Sequence, residues 1–261
     1  MITFKNVNII LTLSLIVFIL LKLVFNISYS YYWLMLPLLI WFVYTTIGSF
    51  HIRWNYYIDA NHKNYKISEK AISISFDDGP NKEFTPRVLA LLKEYKAKAT
   101  FFCIGKNIEE NPDLLKQIIL EGHIVGNHSF SHSNYFGFFT LKRLIADIET
   151  SRLLVKKITN LDMIFFRPPF GVTNPNIGRA VKKLNLQTFG WSIRSYDTIG
   201  KNPDKVYKGI IEDLKSGDVV LLHDTNELST IVLEKLLITL KKKNMKAITM
   251  DKLFKMDAYE V

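Results

Sequence analysis

The first fifty residues of this 261-residue chain carry only two charged side chains, Lys5 and Lys22, and every acidic residue lies beyond them. An uncharged stretch of that length has to be covered, by protein or by lipid. Val7–Phe25 (VNIILTLSLIVFILLKLVF) is apolar apart from Asn8, Thr12, Ser14 and Lys22. At ~1.5 Å per residue it reaches about 28 Å, close to the hydrocarbon thickness of a bilayer. Tyr31–Phe50 (YYWLMLPLLIWFVYTTIGSF) has no charge and carries aromatics at both ends, as helices that meet two interfaces do. The short linker Asn26–Ser30 makes the pair a hairpin with both termini on one side. Pro37 is expected to kink the second helix, which membrane helices tolerate. The expectation is therefore two transmembrane helices, about 7–25 and 31–50, in an integral protein of the plasma (inner) membrane. A cleaved signal peptide would explain Lys5 before the first apolar run, but the second run would still anchor the chain. A buried soluble hairpin is the other alternative. Lys5 before the first span and Arg53, Lys63, Lys66 and Lys70 after the second place both ends in the cytoplasm by the basic-residue count, with Lys22 weighing against it.

The remainder has an ordinary soluble composition. Of the net charge of +10 only Lys5 and Lys22 fall in the first fifty residues, which leaves +8 beyond them. The 48% hydrophobic and 22% charged content excludes a disordered or collagen-like chain. A single cysteine, Cys103, excludes a disulfide framework and any cysteine-based zinc finger. Short β-branched runs predict strands at 71–76, 100–104, 124–127, 164–167, 187–192, 218–222 and 246–249. Apolar residues at helical spacing predict helices over 87–95, 112–121, 141–158, 175–184, 203–215 and 230–243. Asn111-Pro112 and Asn202-Pro203 read as caps followed by proline at the first helical position, and Gly122 and Gly217 as residues just past helix ends. Seven strands alternating with six helices predict parallel βα units in a barrel or open α/β sheet. The organisation expected is an anchor (1–50), a juxtamembrane connector (51–66) and one α/β domain (67–261).

Polar residues gather where these strands end. Asp77 and Asp78 follow the apolar run Ile72–Phe76, and Gly79-Pro80 then turns the chain, which places both carboxylates at the C-terminal mouth of the sheet. Read alone they are equally a helix cap with a surface charge. His128 and His132, in HSFSH, follow another strand; if the segment is helical, the spacing of four puts both imidazoles on one face. A hydrogen-bonded structural pair is the bland alternative. Arg167 and His223 end two further strands. Asp78, His128 and His132 form a two-histidine, one-carboxylate set that leaves positions open on a divalent cation. Asp77 beside it suits a general base, Arg167 a partner for that base, and His223 a general acid toward a departing amine. The chemistry that fits is metal-assisted hydrolysis of an amide-like acyl bond.

With SFDDGP at Ser75–Pro80, HSFSH at His128–His132, RPPFG at Arg167–Gly171, WSIRSYD at Trp191–Asp197 and LLHD at Leu221–Asp224, in that order, the chain resembles the polysaccharide deacetylases, the NodB-homology group of carbohydrate esterase family 4, over about Ala71 to Phe254. The resemblance implies a distorted (β/α) barrel of about seven strands that removes N-acetyl groups from sugars. By motif match it implies Asp77 as general base and Asp78, His128 and His132 as ligands of one divalent ion, zinc first, with cobalt, nickel or manganese as alternatives. It implies Arg167 orienting the base, the Phe170 N–H stabilising the oxyanion, and His223 as general acid tuned by Asp197. Leu221, Pro169 and Trp191 would bind substrate, Leu221 lining the acetyl pocket. The fourth block departs from the pattern: Arg194 stands where many members have an acid, and Thr198 where many have a tryptophan, so the acyl group or sugar is expected to differ.

The implied partner is an N-acylated carbohydrate, polymeric or lipid-linked, together with membrane lipid. The basic surface could attract an anionic glycan or the bilayer, or be simply solvated. No nucleic-acid motif accompanies it. A cytoplasmic domain would exclude a cell-wall polymer as substrate, whereas the family resemblance favours an external glycan. The alternative to an enzyme is a non-catalytic, membrane-tethered glycan-binding protein that keeps the fold.

Overall fold

Along the strand β2 (Ala71–Asp77), which is buried throughout, successive side chains face opposite ways. Ile72, Ile74 and Phe76 enter the core under the surrounding helices, while Ser75 and Asp77 both meet the Arg167 guanidinium on the inner side. The computed structural model describes residues 2–26 and 29–260, so Ile27 and Ser28 of the expected linker lie outside the described residues. The other strands are β1 (Ala60–Asn61), β3 (Ala99–Cys103), β4 (Ile124–Asn127), β5 (Asp162–Met163), β6 (Phe165–Phe166), β7 (Gln187–Phe189), β8 (Ile193–Arg194), β9 (Val219–His223), β10 (Lys246–Ala247) and β11 (Tyr259–Glu260).

The main sheet has the order β1-β7-β6-β4-β3-β2-β9-β8, with β10 on the first residues of β2, and its pairs are parallel. β5 and β11 form a small antiparallel pair beside it. The sheet curls, and the segment Gly190–Ser192 bridges its two edges. Gly190 N–H donates to Asn61 O at 3.0 Å on one side, and Ser192 N–H donates to Val219 O at 3.0 Å on the other. The expected strand 187–192 therefore stops at Phe189, because the next three residues cross the gap, and Ile193–Arg194 pair with β9 instead.

Helices α3 (Phe84–Glu94), α5 (Pro112–Leu120), α8 (Pro203–Glu212) and α9 (Glu227–Lys242) cover the outer face through Leu89, Leu92, Ile118, Ile210 and Leu236. α6 (Leu141–Thr159) and α7 (Pro175–Lys183) share a separate cluster around Phe136 and Phe166. Inside the curl Phe102, Phe165, Phe189 and Leu221 pack together, stoppered by Met250 and Leu253 of α10 (Met250–Phe254). The short helix α4 (Gly105–Glu110) follows β3. Asn202 caps α8 as expected, accepting from the N–H of Asp204 and Lys205. Asn111 stands at the N-cap of α5 before Pro112 as expected, but its side chain makes no capping bond, and its amide donates to Asn107 O at 3.0 Å. Gly122 (φ 76) follows α5 as expected, whereas Gly217 (φ 86) belongs to the turn before β9, where its N–H donates to Ala71 O.

Helix α1 (Phe4–Leu23) and, after one 3-10 turn at Tyr31–Leu34, helix α2 (Met35–Phe50) make an antiparallel pair joined by Trp41 Nε1 donating to Asn8 Oδ1 at 2.9 Å. The two apolar segments, Phe4–Leu23 and Tyr32–Phe50, are long enough to cross a membrane. Both are almost wholly uncovered by protein, so neither is the buried soluble hairpin considered above. Pro37 does not kink α2: it sits in the first turn, where its missing N–H has no helical partner to lose. The far end of α2 is bonded to the barrel. Thr173 N–H donates to Ser49 O at 2.9 Å, and Thr45 Oγ1 lies 3.2 Å from the Tyr56 hydroxyl. A Cβ on Gly48 would fall 2.4 Å from the Tyr56 ring, so that close approach requires glycine. Ala60–Asn61, in the expected connector, form β1 in the sheet.

Candidate active site

Register alone assembles most of the site. Asp77 at the end of β2 stands opposite His223 at the end of β9, and Asn127 of β4 stands opposite Phe166 of β6, so the residues that follow, His128 and Arg167, emerge side by side. All four project from the C-terminal edge of parallel strands, where loops are free to build a pocket.

Arg167 is wholly buried and fully engaged. It donates to Asp77 Oδ1 at 2.6 Å, Ser75 Oγ at 2.9 Å, Gly190 O at 2.8 Å and Phe189 O at 3.3 Å, and its guanidinium lies 4.1 Å from the Phe102 ring centroid. Burial pulls its pKa down and Asp77 opposes that shift. The remaining oxygen of Asp77, Oδ2, faces His128 Nε2 at 3.8 Å.

Asp78 turns toward the two histidines because its backbone is left-handed (φ 72). Its Oδ1 lies 3.5 Å from His128 Nε2 and 3.2 Å from His132 Nε2. The three ligand atoms fall within 4.8 Å of one another. Donors bound at ~2.1 Å in a tetrahedron stand about 3.4 Å apart, so the two carboxylate spacings fit a metal of that size. Two further observations agree. Asp78 Oδ1 is buried with no hydrogen-bond partner, which is costly unless something else satisfies it. His128 Nδ1 lies 2.8 Å from Arg167 O, which makes Nδ1 the donor and turns the Nε2 lone pair into the site. Burial pushes the Asp78 pKa up, but His128, His132 and His223 together outweigh it and hold the carboxyl below its usual range. Burial, helped by His128, lowers His132 and so favours the neutral ring that binds metals.

The segment His128–His132 is not the helix its spacing suggests. It is a loop in which Ser129 (φ 64) and His132 (φ 43) are left-handed, held by Ser129 Oγ accepting from His132 N–H at 3.0 Å and by Asp147 accepting from Phe130 N–H at 2.9 Å. The two imidazoles still converge, with ring centroids 4.9 Å apart.

Opposite this cluster, His223 Nδ1 lies 2.8 Å from Asp197 Oδ1, and its Nε2 faces the site 4.0 Å from Asp78 Oδ2. Asp197 is buried, and it also accepts from Ser195 Oγ at 2.6 Å, Ser229 Oγ at 2.5 Å and His223 N–H at 2.8 Å. Burial alone would lower the His223 pKa; the Asp197 carboxylate reverses that and raises it to about 9.

The other expected site residues are placed unequally. Phe170 is left-handed (φ 60) and half exposed, its ring 4.7 Å from that of His132. Pro169 is buried beside it. Leu221 points inward from β9 at 2% exposure. Trp191 lies in the bridging segment at 8% exposure, with Arg167 and Arg194 each 5.7 Å from its ring. Arg194 also covers Tyr196 at 5.1 Å, so a cation and a tyrosine stand in the departing fourth block, next to an exposed Thr198.

Asp224, the last residue of the LLHD motif, has no role implied by the resemblance. It is wholly buried under the turn that carries Asp77 and Asp78, where a Cβ on Gly79 would fall 2.3 Å from its Oδ2. Thr85 Oγ1 donates to it, and its other oxygen has no partner. Burial lifts its pKa to about 7 against the Thr85 bond. The one signal available was the direct succession His223-Asp224.

Comparison with known proteins agrees with this fold. The polysaccharide deacetylase family model matches residues 64–189. A peptidoglycan-N-acetylglucosamine deacetylase of Bacillus cereus is 38% identical over 193 residues, covering 72% of this chain and 90% of that protein. The peptidoglycan-N-acetylmuramic acid deacetylase PdaA of Bacillus subtilis is 33% identical over 178 residues, 67% of each chain. The crystal structure of a peptidoglycan N-acetylglucosamine deacetylase in complex with 4-naphthalen-1-yl-N-oxidanyl-benzamide aligns with a TM-score of 0.72 at 29% identity, covering 77% of this chain and 94% of that one. This chain belongs to the polysaccharide deacetylase family.

Proposed function

We propose that this chain is a membrane-anchored, metal-dependent hydrolase that removes the N-acetyl group from an amino sugar of a glycan. Residues 1–50 serve as anchor, 51–66 as connector and 67–261 as the hydrolase. The observation that carries the reading is the buried, unpartnered Asp78 Oδ1 facing His128 and His132, with a carboxylate on one side and a histidine–aspartate pair on the other. The names of the relatives point to the same substrate class: they act on N-acetylated sugars of peptidoglycan.

Asp78, His128 and His132 would hold the ion, which when bound supplies Lewis-acid polarisation of the acyl oxygen and acidifies a water. Zinc suits the donor set. Asp77 takes the proton of the attacking water on Oδ2, the oxygen that Arg167 leaves free. The Phe170 N–H would donate to the oxyanion. His223, held by Asp197 with Nε2 turned to the site, gives its proton to the amine nitrogen as the C–N bond breaks, so that acetate and the free amino sugar leave.

The test is acetate and formate release from a panel of N-acyl amino sugars, free and lipid-linked, by the full chain with zinc or cobalt and with a chelator. Acetate release that the chelator abolishes supports the reading. A metal-loaded protein that releases neither acid from any of them overturns it in favour of a glycan-binding role.

A further inference from the structure

Between the second half of α2 and two loops at the barrel mouth lies a groove of about 720 Å³, a size at which proteins hold organic ligands. One wall is Trp41, Phe42 and Phe50 of α2; the other is Phe138, Phe170 and Val172. Phe138 is 88% exposed and Phe170 is 48% exposed. A contiguous apolar surface of this kind marks a place where something apolar binds.

Three observations say what that is. The first wall belongs to a segment long and apolar enough to cross a membrane, so one end of the groove opens where lipid chains are. The second wall includes Phe170, whose ring touches that of His132, so the other end reaches the metal-ligand cluster. The two walls are also held in register, since Thr173, two residues past Gly171, donates its N–H to Ser49 O of α2. A soluble oligosaccharide has no apolar chain to offer such a surface, and a bilayer phospholipid would fill it without using its connection to the site.

We propose that the groove holds the hydrocarbon chain of the substrate, and that the enzyme acts on a lipid-linked N-acetylated amino sugar. The chain lies between α2 and Phe138, and the sugar enters the site past Phe170. This rests on the hydrolase reading above and narrows its substrate.

The experiment compares two substrates on the full chain in detergent micelles, an N-acetylglucosaminyl polyprenyl phosphate and a water-soluble N-acetylglucosamine oligosaccharide, by acetate release. The lipid-linked sugar is expected to have the lower KM. Phe138→Asp, at a side chain whose exposure leaves the fold intact, is expected to raise that KM about tenfold more than the KM of the soluble sugar. Equal KM values, or an equal rise for both substrates, overturn the proposal.

Inactivity on both substrates overturns the hydrolase reading and leaves the groove to a second measurement. The same lipid-linked sugar, with a benzophenone on its chain, is photo-crosslinked to the protein and the labelled residues are mapped. Labels within 41–50 and 134–138, displaced by the unlabelled lipid-linked sugar but not by phosphatidylglycerol, support the proposal. Labels spread over α1, or displaced equally by the phospholipid, overturn it.

Discussion

The barrel mouth and the hairpin handle polarity in opposite ways. At the mouth, charges are buried and almost every one has a partner: Arg167 is wholly enclosed with its donors assigned, and Asp197 accepts four hydrogen bonds. Along α1 and α2, large apolar side chains such as Ile10, Leu13 and Leu39 stand uncovered, and a side-chain bond runs from Trp41 of one helix to Asn8 of the other. A partner removed from a buried charge leaves an expensive orphan, whereas an apolar residue exchanged on a lipid-facing helix changes little. Chemistry and stability at the mouth should therefore respond sharply to single atoms, and the exposed faces of the hairpin away from Gly48 and the groove should not.

The largest effect is expected from Asp77→Asn. Deacetylation should fall by about a thousandfold, as loss of a general base does, while metal binding measured by calorimetry stays, because Asp78, His128 and His132 are untouched. Loss of the ion together with activity would show that Asp77 is a ligand. Next comes Gly79→Ala. Its Cβ would meet the Asp224 carboxylate, and relieving that contact displaces the turn carrying both aspartates. Overpacking of this kind costs about 1–3 kcal/mol, and metal affinity should weaken with it; an unchanged melting temperature would break the argument.

Asp197→Asn tests the proton rather than the position. His223 keeps its proton to about pH 9 in the wild type because of Asp197, against an ordinary value of 6.5. Its raised folded pKa contributes stability that is complete below pH 6.5 and is lost as pH rises through about 9. In the variant the alkaline limb of the pH–rate profile should move toward pH 6.5, lowering activity at pH 8 by about tenfold to thirtyfold. A limb that stays in place would remove His223 from the role of acid.

The smallest effect concerns Asp224. Its folded pKa of about 7 lies above the ordinary 3.8, so the contribution to stability present below pH 3.8 disappears as pH rises through about 7. Asp224→Asn should raise the melting temperature by a few degrees at pH 8 and hardly at all near pH 4. Equal shifts at both would point to packing rather than to charge.

What the sequence disclosed follows the range of the forces involved. Asp77, Asp78 and His223 were readable because an apolar run leading into a charge marks a strand end, and parallel strands bring their ends together whatever the loops do. The HSFSH spacing of four would bring both rings to one face of a helix, but here two left-handed residues, Ser129 and His132, bring them together in a loop. The bridge at Gly190–Ser192 reads as strand in the sequence because β-branched and aromatic composition does not reveal which edges a segment must join. Asp224 is silent in the sequence because its meaning lies in its approach to Gly79, a contact only the folded chain makes. The groove beside Phe170 was equally hidden, since its two walls come from segments far apart in the chain.

The bond from Thr173 to Ser49 has a mechanical consequence. Membrane-spanning helices answer a thicker or thinner bilayer by changing their tilt, and with α2 as the proposed anchor its end would move with that tilt. Here that end is fastened to the loop that carries Phe170 against His132. On the proposed anchor reading, bilayer thickness would become a coordinate of the catalytic pocket, and lipid composition a means of adjusting how far the pocket stands open.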